Sequence, residues 1–500
     1  MIQRKVTAAV PAMVLALTGF VMAADSDSNV LKNTGALDRL VKQSGVYNTS
    51  PTGKTPNFVV DPSWPQPLPN NWILGQIGGL YVDPHDHIWI YNRPRTLTNE
   101  EAGIEGPLPG VTDEKGQPIN GLGQARVYGS INDCCKAAPS VMEFDASGKL
   151  LRSWGGPADP GFIGGKCKAE AGCIWPNSEH GIYVDHKDNV WISGNAAAGR
   201  GGSAGGDRAK SPWTTNEGGG DGFVLKFDMD GNFKMRIGGT PRGPDSNDTN
   251  GGINGTPLLY QAADMAVDPK TNRLYVSDGY GNRRVLIVDA ETGKYIGHFG
   301  AYGNNPVDDV AAGAAGPWIA DYSRGNRKPA FFRTPVHCVK LAADGRVYVC
   351  DRGNDRIQVF DRNDPALGKP CGNPNGEPGK CGFVAEQLIS EHTNTSIPGT
   401  AVSMSFSSDK AQSCLYVADN TNMTVYILNR SNSQELGRLG RSGRMSGEFH
   451  WLHQVSGDSK GNIYTAEVDT GKRIQRFLRY GSDMCGGTGS STVGGVLGAK

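Results

Sequence analysis

Apolar and polar positions alternate with period two through Val336–Leu341, break at Ala343-Asp344-Gly345, resume through Val347 and Val349, and start again at Arg356–Phe360. Such alternation, interrupted by Asp-Gly, predicts an antiparallel hairpin followed by a third strand, not a helix. The same pattern returns along the chain. First-strand pairs read at 77–94, 180–195, 263–284, 334–352, 401–422 and 453–473. A third and often a fourth strand follow at 141–155, 223–239, 285–300, 357–365, 425–440 and 474–481. Four-strand units cannot bury both faces alone and stack radially around a channel. Six copies predict an all-β fold, a six-bladed β-propeller spanning residues 57–481. Phe58-Val59-Val60-Asp61 reads as the strand that closes it.

Gly- and Pro-rich insertions interrupt the repeats at Arg95–Ala138, Ala196–Asp221, Thr240–Leu259, Tyr302–Arg333 and Asn363–Gly382; they read as surface loops. Residues 24–56 read as an extended lead-in and 482–500 as a flexible tail. Met1–Ala23 carries Arg4 and Lys5, an apolar run from Val6 to Met22 and a small residue at Ala23, the pattern of a signal peptide. No second apolar span of that kind occurs, so the mature chain is expected to be soluble, free of the membrane, and secreted or periplasmic.

Fifty basic residues balance fifty acidic ones. No basic stripe points to nucleic acid. Ten Cys in an exported chain predict disulfides. If the hairpin turns about Asp344, Leu341 faces Val347 and Cys338 faces Cys350 across the ladder. Cys167/Cys173 and Cys371/Cys381 read as local clasps, whereas Cys134, Cys135, Cys414 and Cys485 have no assignable partner from sequence.

The chemistry lies in the repeat alignment. Aligned on the residue that closes the first strand (Asp83, Asp185, Asp268, Ala342, Ser407, Asp458), the position five earlier reads Gly78, His180, Ala263, His337, Val402 and His453. Histidine stands in the second, fourth and sixth copies and is absent from the others. Alternate blades of a six-fold ring are about 120° apart, so three imidazoles on the innermost strand converge on the axis. That set suits a His₃ metal site with an open fourth position, of the kind zinc uses. A lone His at a strand start is more often a hydrogen-bonding residue. The alternation is what argues for a metal here. His85, His87, His186, His298, His392 and His450 show no such pattern and read as structural or exposed.

Just past each second strand stand Arg93, Asn195, Gly279, Arg352, Asn420 and Val468, which the hairpin geometry brings to the same rim. Arg93 and Arg352 suit a carboxylate or developing negative charge, against the plainer reading of blade salt bridges. Tyr280, in the turn Asp278–Asn282, projects at that rim as a base or as a packed aromatic cap.

The motifs LGQIGGLYVDPHDHIWIYNRP, HGIYVD, VSDGYGNRR, VHCVKL…VCDRGNDRIQVF and LHQVSGD together resemble the peptidyl-α-hydroxyglycine α-amidating lyase branch of the NHL-repeat propellers, over residues 72–481. The resemblance implies zinc on His180, His337 and His453, Tyr280 as general base, and Arg93 and Arg352 on the substrate. It also implies cleavage of a small-molecule or peptide carbinolamide to an amide and glyoxylate. In that family an Asp usually follows the last His and helps to hold a structural calcium; here the residue is Gln454. The residues also suit a metal-dependent hydrolase or lactonase on the same scaffold, or a non-enzymatic binding propeller. A monomer is expected.

Overall fold

The structure is a computed structural model that describes residues 48–49, 57–107, 112–113, 115–120, 122, 125, 129–159, 161–197, 220–240, 243–308, 329–390, 399–480 and 485. The expected signal peptide, all of the lead-in but Asn48–Thr49, all of the tail but Cys485, and much of the insertions at 196–221 and 302–333 lie outside these residues.

Six four-stranded antiparallel sheets form the expected blades. Blade I comprises Gln76–Val82, Ile88–Arg93, Val141–Phe144 and Leu150–Trp154. Blade II comprises Glu179–Val184, Asn189–Gly194, Gly222–Asp228 and Phe233–Gly239. Blade III comprises Ala262–Asp268, Arg273–Asp278, Arg284–Asp289 and Tyr295–Phe299. Blade IV comprises Val336–Leu341, Arg346–Asp351, Arg356–Asp361 and Phe383–Leu388. Its last strand follows the 363–382 insertion and carries too mixed a pattern to be read beforehand. Blade V comprises Ser403–Phe406, Cys414–Asp419, Thr424–Asn429 and Glu435–Leu439, with Asn48–Thr49 added at its outer edge.

Blade VI is built from both ends of the ring. Leu452–Gly457, Ile463–Glu467 and Ile474–Tyr480 supply three strands, and Asn57–Asp61 the fourth. The closing strand pairs antiparallel, with Asn57 opposite Tyr480 and Asp61 opposite Arg476. The Asp61 carboxylate takes the Arg476 guanidinium in a buried ion pair.

Each blade is apolar on both faces because each packs between two neighbours. In Arg346–Asp351, Val347 and Val349 join the cluster shared with blade III, while Tyr348 and Cys350 join the one shared with blade V. Six such clusters fill the six interfaces, the last joining Ile77, Ile88 and Ile90 of blade I to Tyr464 and Ile474 of blade VI. The hairpin register is the one expected: Leu341 faces Val347 and Cys338 faces Cys350, which are bonded. Cys167–Cys173 and Cys371–Cys381 are also paired. The four unassigned cysteines resolve as Cys134–Cys135 and Cys414–Cys485. Five pairs are compatible with an oxidising, extracellular setting. No helix among the described residues is long and apolar enough to cross a membrane.

Inner strands begin at one face of the ring, and second strands end there. Of the five insertions, 95–138, 196–221, 240–259 and 302–333 therefore leave from that face and only 363–382 from the other. Three of the five fall within a blade and two between blades.

Phe58 is fully buried in the closing strand. Phe58→Ala is expected to cost about 3–5 kcal/mol. Urea unfolding followed by tryptophan fluorescence measures it, and a change below about 1 kcal/mol would show that the closure contributes little.

Candidate metal centre

Five of the six inner strands carry one surplus residue where they approach the axis. In blade IV Val336 faces Asp351 and Cys338 faces Cys350, so His337 has no partner across the ladder. The same shift occurs at Gly78, at His180-Gly181, at Ala263 and at His453. A bulge of this kind re-aims the side chain of the extra residue. The three rings meet accordingly. His180 and His337 centroids lie 5.0 Å apart, and His453 is 4.9 Å from each. One nitrogen from each lies within 4.8 Å of the other two, and all three residues are buried.

Backbone acceptors fix which nitrogens face inward. His180 Nδ1 lies 2.8 Å from the Ala263 carbonyl oxygen, and His337 Nδ1 2.6 Å from that of Val402. A carbonyl only accepts, so both Nδ1 atoms carry the proton and both Nε2 lone pairs face the axis. Metal-binding imidazoles are oriented this way. Gly78, the equivalent acceptor for His453, takes Gln454 Nε2 at 3.4 Å instead, and His453 Nδ1 has no partner. All three rings are held neutral, their pKa values pushed well below 6.5. Burial is the main cause; the positive charges of Arg93 and Arg352 act in the same direction.

Tyr280 caps this triangle, its hydroxyl 3.1 Å from His180 Nε2 and 3.0 Å from His337 Nε2. One hydroxyl hydrogen satisfies only one of these two lone pairs. Three neutral buried imidazoles with converging lone pairs fit a divalent cation.

Salt-bridged turns hold Tyr280 and Arg352. In the turn bearing Tyr280, Asp278 Oδ2 accepts from Arg284 Nε at 3.0 Å and Asn282 Nδ2 at 2.7 Å. In the turn bearing Arg352, Asp351 Oδ2 accepts from Arg356 Nε at 2.7 Å and Asn354 Nδ2 at 2.7 Å. Arg352 Nη1 then reaches the Tyr280 hydroxyl at 3.2 Å. Arg93 donates through Nε to the Glu179 carbonyl, through Nη1 to Gln76 at 3.1 Å and through Nη2 to Asn195 at 3.5 Å. Burial lowers its pKa. It needs Gly78, where a Cβ would lie 2.3 Å from the Glu179 oxygen and 3.0 Å from Arg93 Nε.

All six residues singled out from sequence therefore gather at one end of the channel. The residues that sequence reasoning missed are the supports: Asp278, Asn282 and Arg284, Asp351, Asn354 and Arg356, and Gln76 and Glu179. Asp and Arg bracketing a glycine turn in two repeats was the available signal for the first six.

Asp83, His87 and Glu143 also approach one another. Their atoms are already committed. Asp83 accepts from the His85 and His87 amides and from Trp89, while Glu143 accepts from His87 at 2.7 Å and Arg152 at 2.5 Å. This group is a hairpin brace, in line with the structural role expected for His87.

Comparison with known proteins adds a family context. Residues 336–360, the hairpin and third strand of blade IV, match the NHL repeat model. The chain is 20% identical over 409 residues to peptidyl-glycine alpha-amidating monooxygenase B of Xenopus laevis, covering 82% of this chain and 34% of that protein. Its A counterpart from the same species is 23% identical over 301 residues, 60% of this chain and 22% of that protein. NHL repeat-containing protein 3 of Mus musculus is 26% identical over 229 residues, 45% of this chain and 46% of that protein. The chain thus spans about a third or less of the two amidating monooxygenases it matches. Among solved structures, a streptogramin B lyase aligns at TM-score 0.39 and 11% identity, over 84% of this chain and 98% of that one. The Cps50 (Swd1) propeller domain of Myceliophteria thermophila aligns at TM-score 0.39 and 10% identity, over 81% and 96%. Neither structural match bears on the site.

The depressed histidine pKa values set a pH dependence for the metal-free protein. Each ring binds its proton more readily unfolded than folded, so stability is undiminished above the unfolded value of about 6.5 and falls as pH drops below it. The loss reaches about 1.4 kcal/mol per pH unit per ring. Asp221 and Asp419, pushed up to about 6 by burial, act with the opposite sign in that window. The informative comparison is therefore between wild type and His337→Gln, both chelator-treated. Urea unfolding from pH about 7.5 to about 5.5 is expected to show a slope smaller by about one proton in the variant. Equal slopes would mean that His337 is not held neutral.

Proposed function

We propose that the chain is an exported zinc-dependent carbon–nitrogen lyase acting on a peptidyl-α-hydroxyglycine or similar N-acyl carbinolamide. Tyr280 carries this reading: its hydroxyl bridges two imidazoles and accepts from a buried arginine. The alignment with the amidating monooxygenases supports the same choice of substrate class.

His180, His337 and His453 would hold the metal, which when bound supplies Lewis acidity toward the substrate hydroxyl. The Tyr280 oxygen takes the hydroxyl proton. The electron pair left on oxygen forms the aldehyde carbonyl, the C–N bonding pair leaves with the amide nitrogen, and that nitrogen receives the proton held on the Tyr280 oxygen. A primary amide and glyoxylate result. Arg352, beside the Tyr280 oxygen, stabilises charge there as the proton moves, and Arg93 holds the carboxylate of the hydroxyglycine. Burial of the three imidazoles excludes bulk water from the base and the donors.

Tyr280→Phe is expected to lower kcat by about 10²–10⁴-fold, and Arg352→Ala by at least about 10²-fold, with zinc content unchanged. Glyoxylate release from a synthetic acyl-α-hydroxyglycine, with metal analysis of the same samples, measures both. Wild-type protein that holds zinc yet releases no glyoxylate would refute the lyase reading. Full activity in both variants would remove their assigned roles.

A further inference from the structure

The resemblance that implies zinc on the three histidines also implies a structural calcium held with help from the residue after the last of them. The donor set of this chain does not fit that second ion. Gln454 replaces the carboxylate, and its amide is spent on protein: Oε1 accepts from Ser403 Oγ at 2.8 Å, and Nε2 donates to Gly78 at 3.4 Å. At the same level of the inner strands, one residue past the axial position, stand Gly79, Gly181, Asp264, Cys338, Ser403 and Gln454. Asp264 is the one carboxylate among them. Lys340 Nζ lies 2.7 Å from Asp264 Oδ2, which also accepts from the Val339 amide at 3.2 Å.

We infer that this propeller braces its axis with its own side chains, the Lys340 ammonium on Asp264 and the Gln454 amide between Ser403 and Gly78, and uses no calcium there. The links form a complete circuit. Arg93 on Glu179 ties blade I to II, and His180 on Ala263 ties II to III. Lys340 on Asp264 ties III to IV, and His337 on Val402 ties IV to V. Gln454 ties V to VI through Ser403, and VI to I through Gly78. Each interface near the axis thus has a polar link of its own. A cation placed by Asp264 would have to displace a lysine already paired with a buried carboxylate, an exchange that strands one charge or the other.

The experiment is thermal unfolding of the full chain in EGTA and in millimolar calcium, with metal analysis of the purified protein. Its readouts do not involve the lyase reaction, so its failure is separable from failure of that reading. The expected result is one melting temperature in both buffers and no stoichiometric calcium. Lys340→Met is expected to melt several degrees lower, and Lys340→Met/Asp264→Asn to recover most of the loss, because removing both partners leaves no buried charge unpaired. Calcium that co-purifies in one equivalent, or that raises the wild-type melting temperature, would overturn the inference. So would a Lys340→Met variant as stable as wild type. Should Lys340→Met not fold, the wild-type measurements decide alone.

Discussion

His180, His337 and His453 converge only because the inner strand that carries each has a surplus residue at the same point. A regular antiparallel ladder turns successive side chains alternately toward the two neighbouring blades, as Val347 and Tyr348 do one strand further out. No position in such a strand would face the axis squarely. The bulge breaks the alternation where the strand enters the channel, and it occurs in blades with and without histidine. The scaffold thus offers axial positions around the ring, and the residue placed at each decides whether the hub holds a ligand, a glycine gap or an apolar plug.

Those choices are coupled around the ring. The backbone that carries Ala263 and Val402 supplies the acceptors that set the tautomers of His180 and His337. Gly78 contributes by lacking a side chain, and the space next to it admits the Arg93 guanidinium. Blades without histidine therefore take part in the site as fully as those with it. The buried Asp278–Arg284 and Asp351–Arg356 pairs are costly as isolated interactions. Here they hold the two turns at which Tyr280 and Arg352 meet.

The fold was legible because alternation recurs in each hairpin, three of them turn at Asp188-Asn189, Asp344-Gly345 or Lys460-Gly461, and six repetitions correct one another's errors. The site was legible because one aligned column held histidine in every second repeat. Phe383–Leu388 was not legible, since an outer strand exposed on one side needs little apolar character. Nor were Cys134–Cys135 and Cys414–Cys485, because adjacency and a 71-residue separation give no register to reason from. The supports of Arg93 lie in three different segments, and only the assembled blades show that Gln76, Glu179 and Asn195 surround one guanidinium.

The closing strand has a consequence for how the ring is made. Asp61 and Arg476 stand 415 residues apart, yet their pairing completes a single sheet. During synthesis the Asn57–Asp61 segment emerges ahead of every strand of the ring except Asn48–Thr49 and must stay unpaired until Ile474–Tyr480 arrives. Five sheets can assemble in succession as an open arc, with the rear face of blade V and the front face of blade I uncovered. Contacts so distant along the chain form slowly, and the arc exposes strand edges meanwhile. The hub geometry, which draws on blades II, IV and VI together, comes into being at the last step.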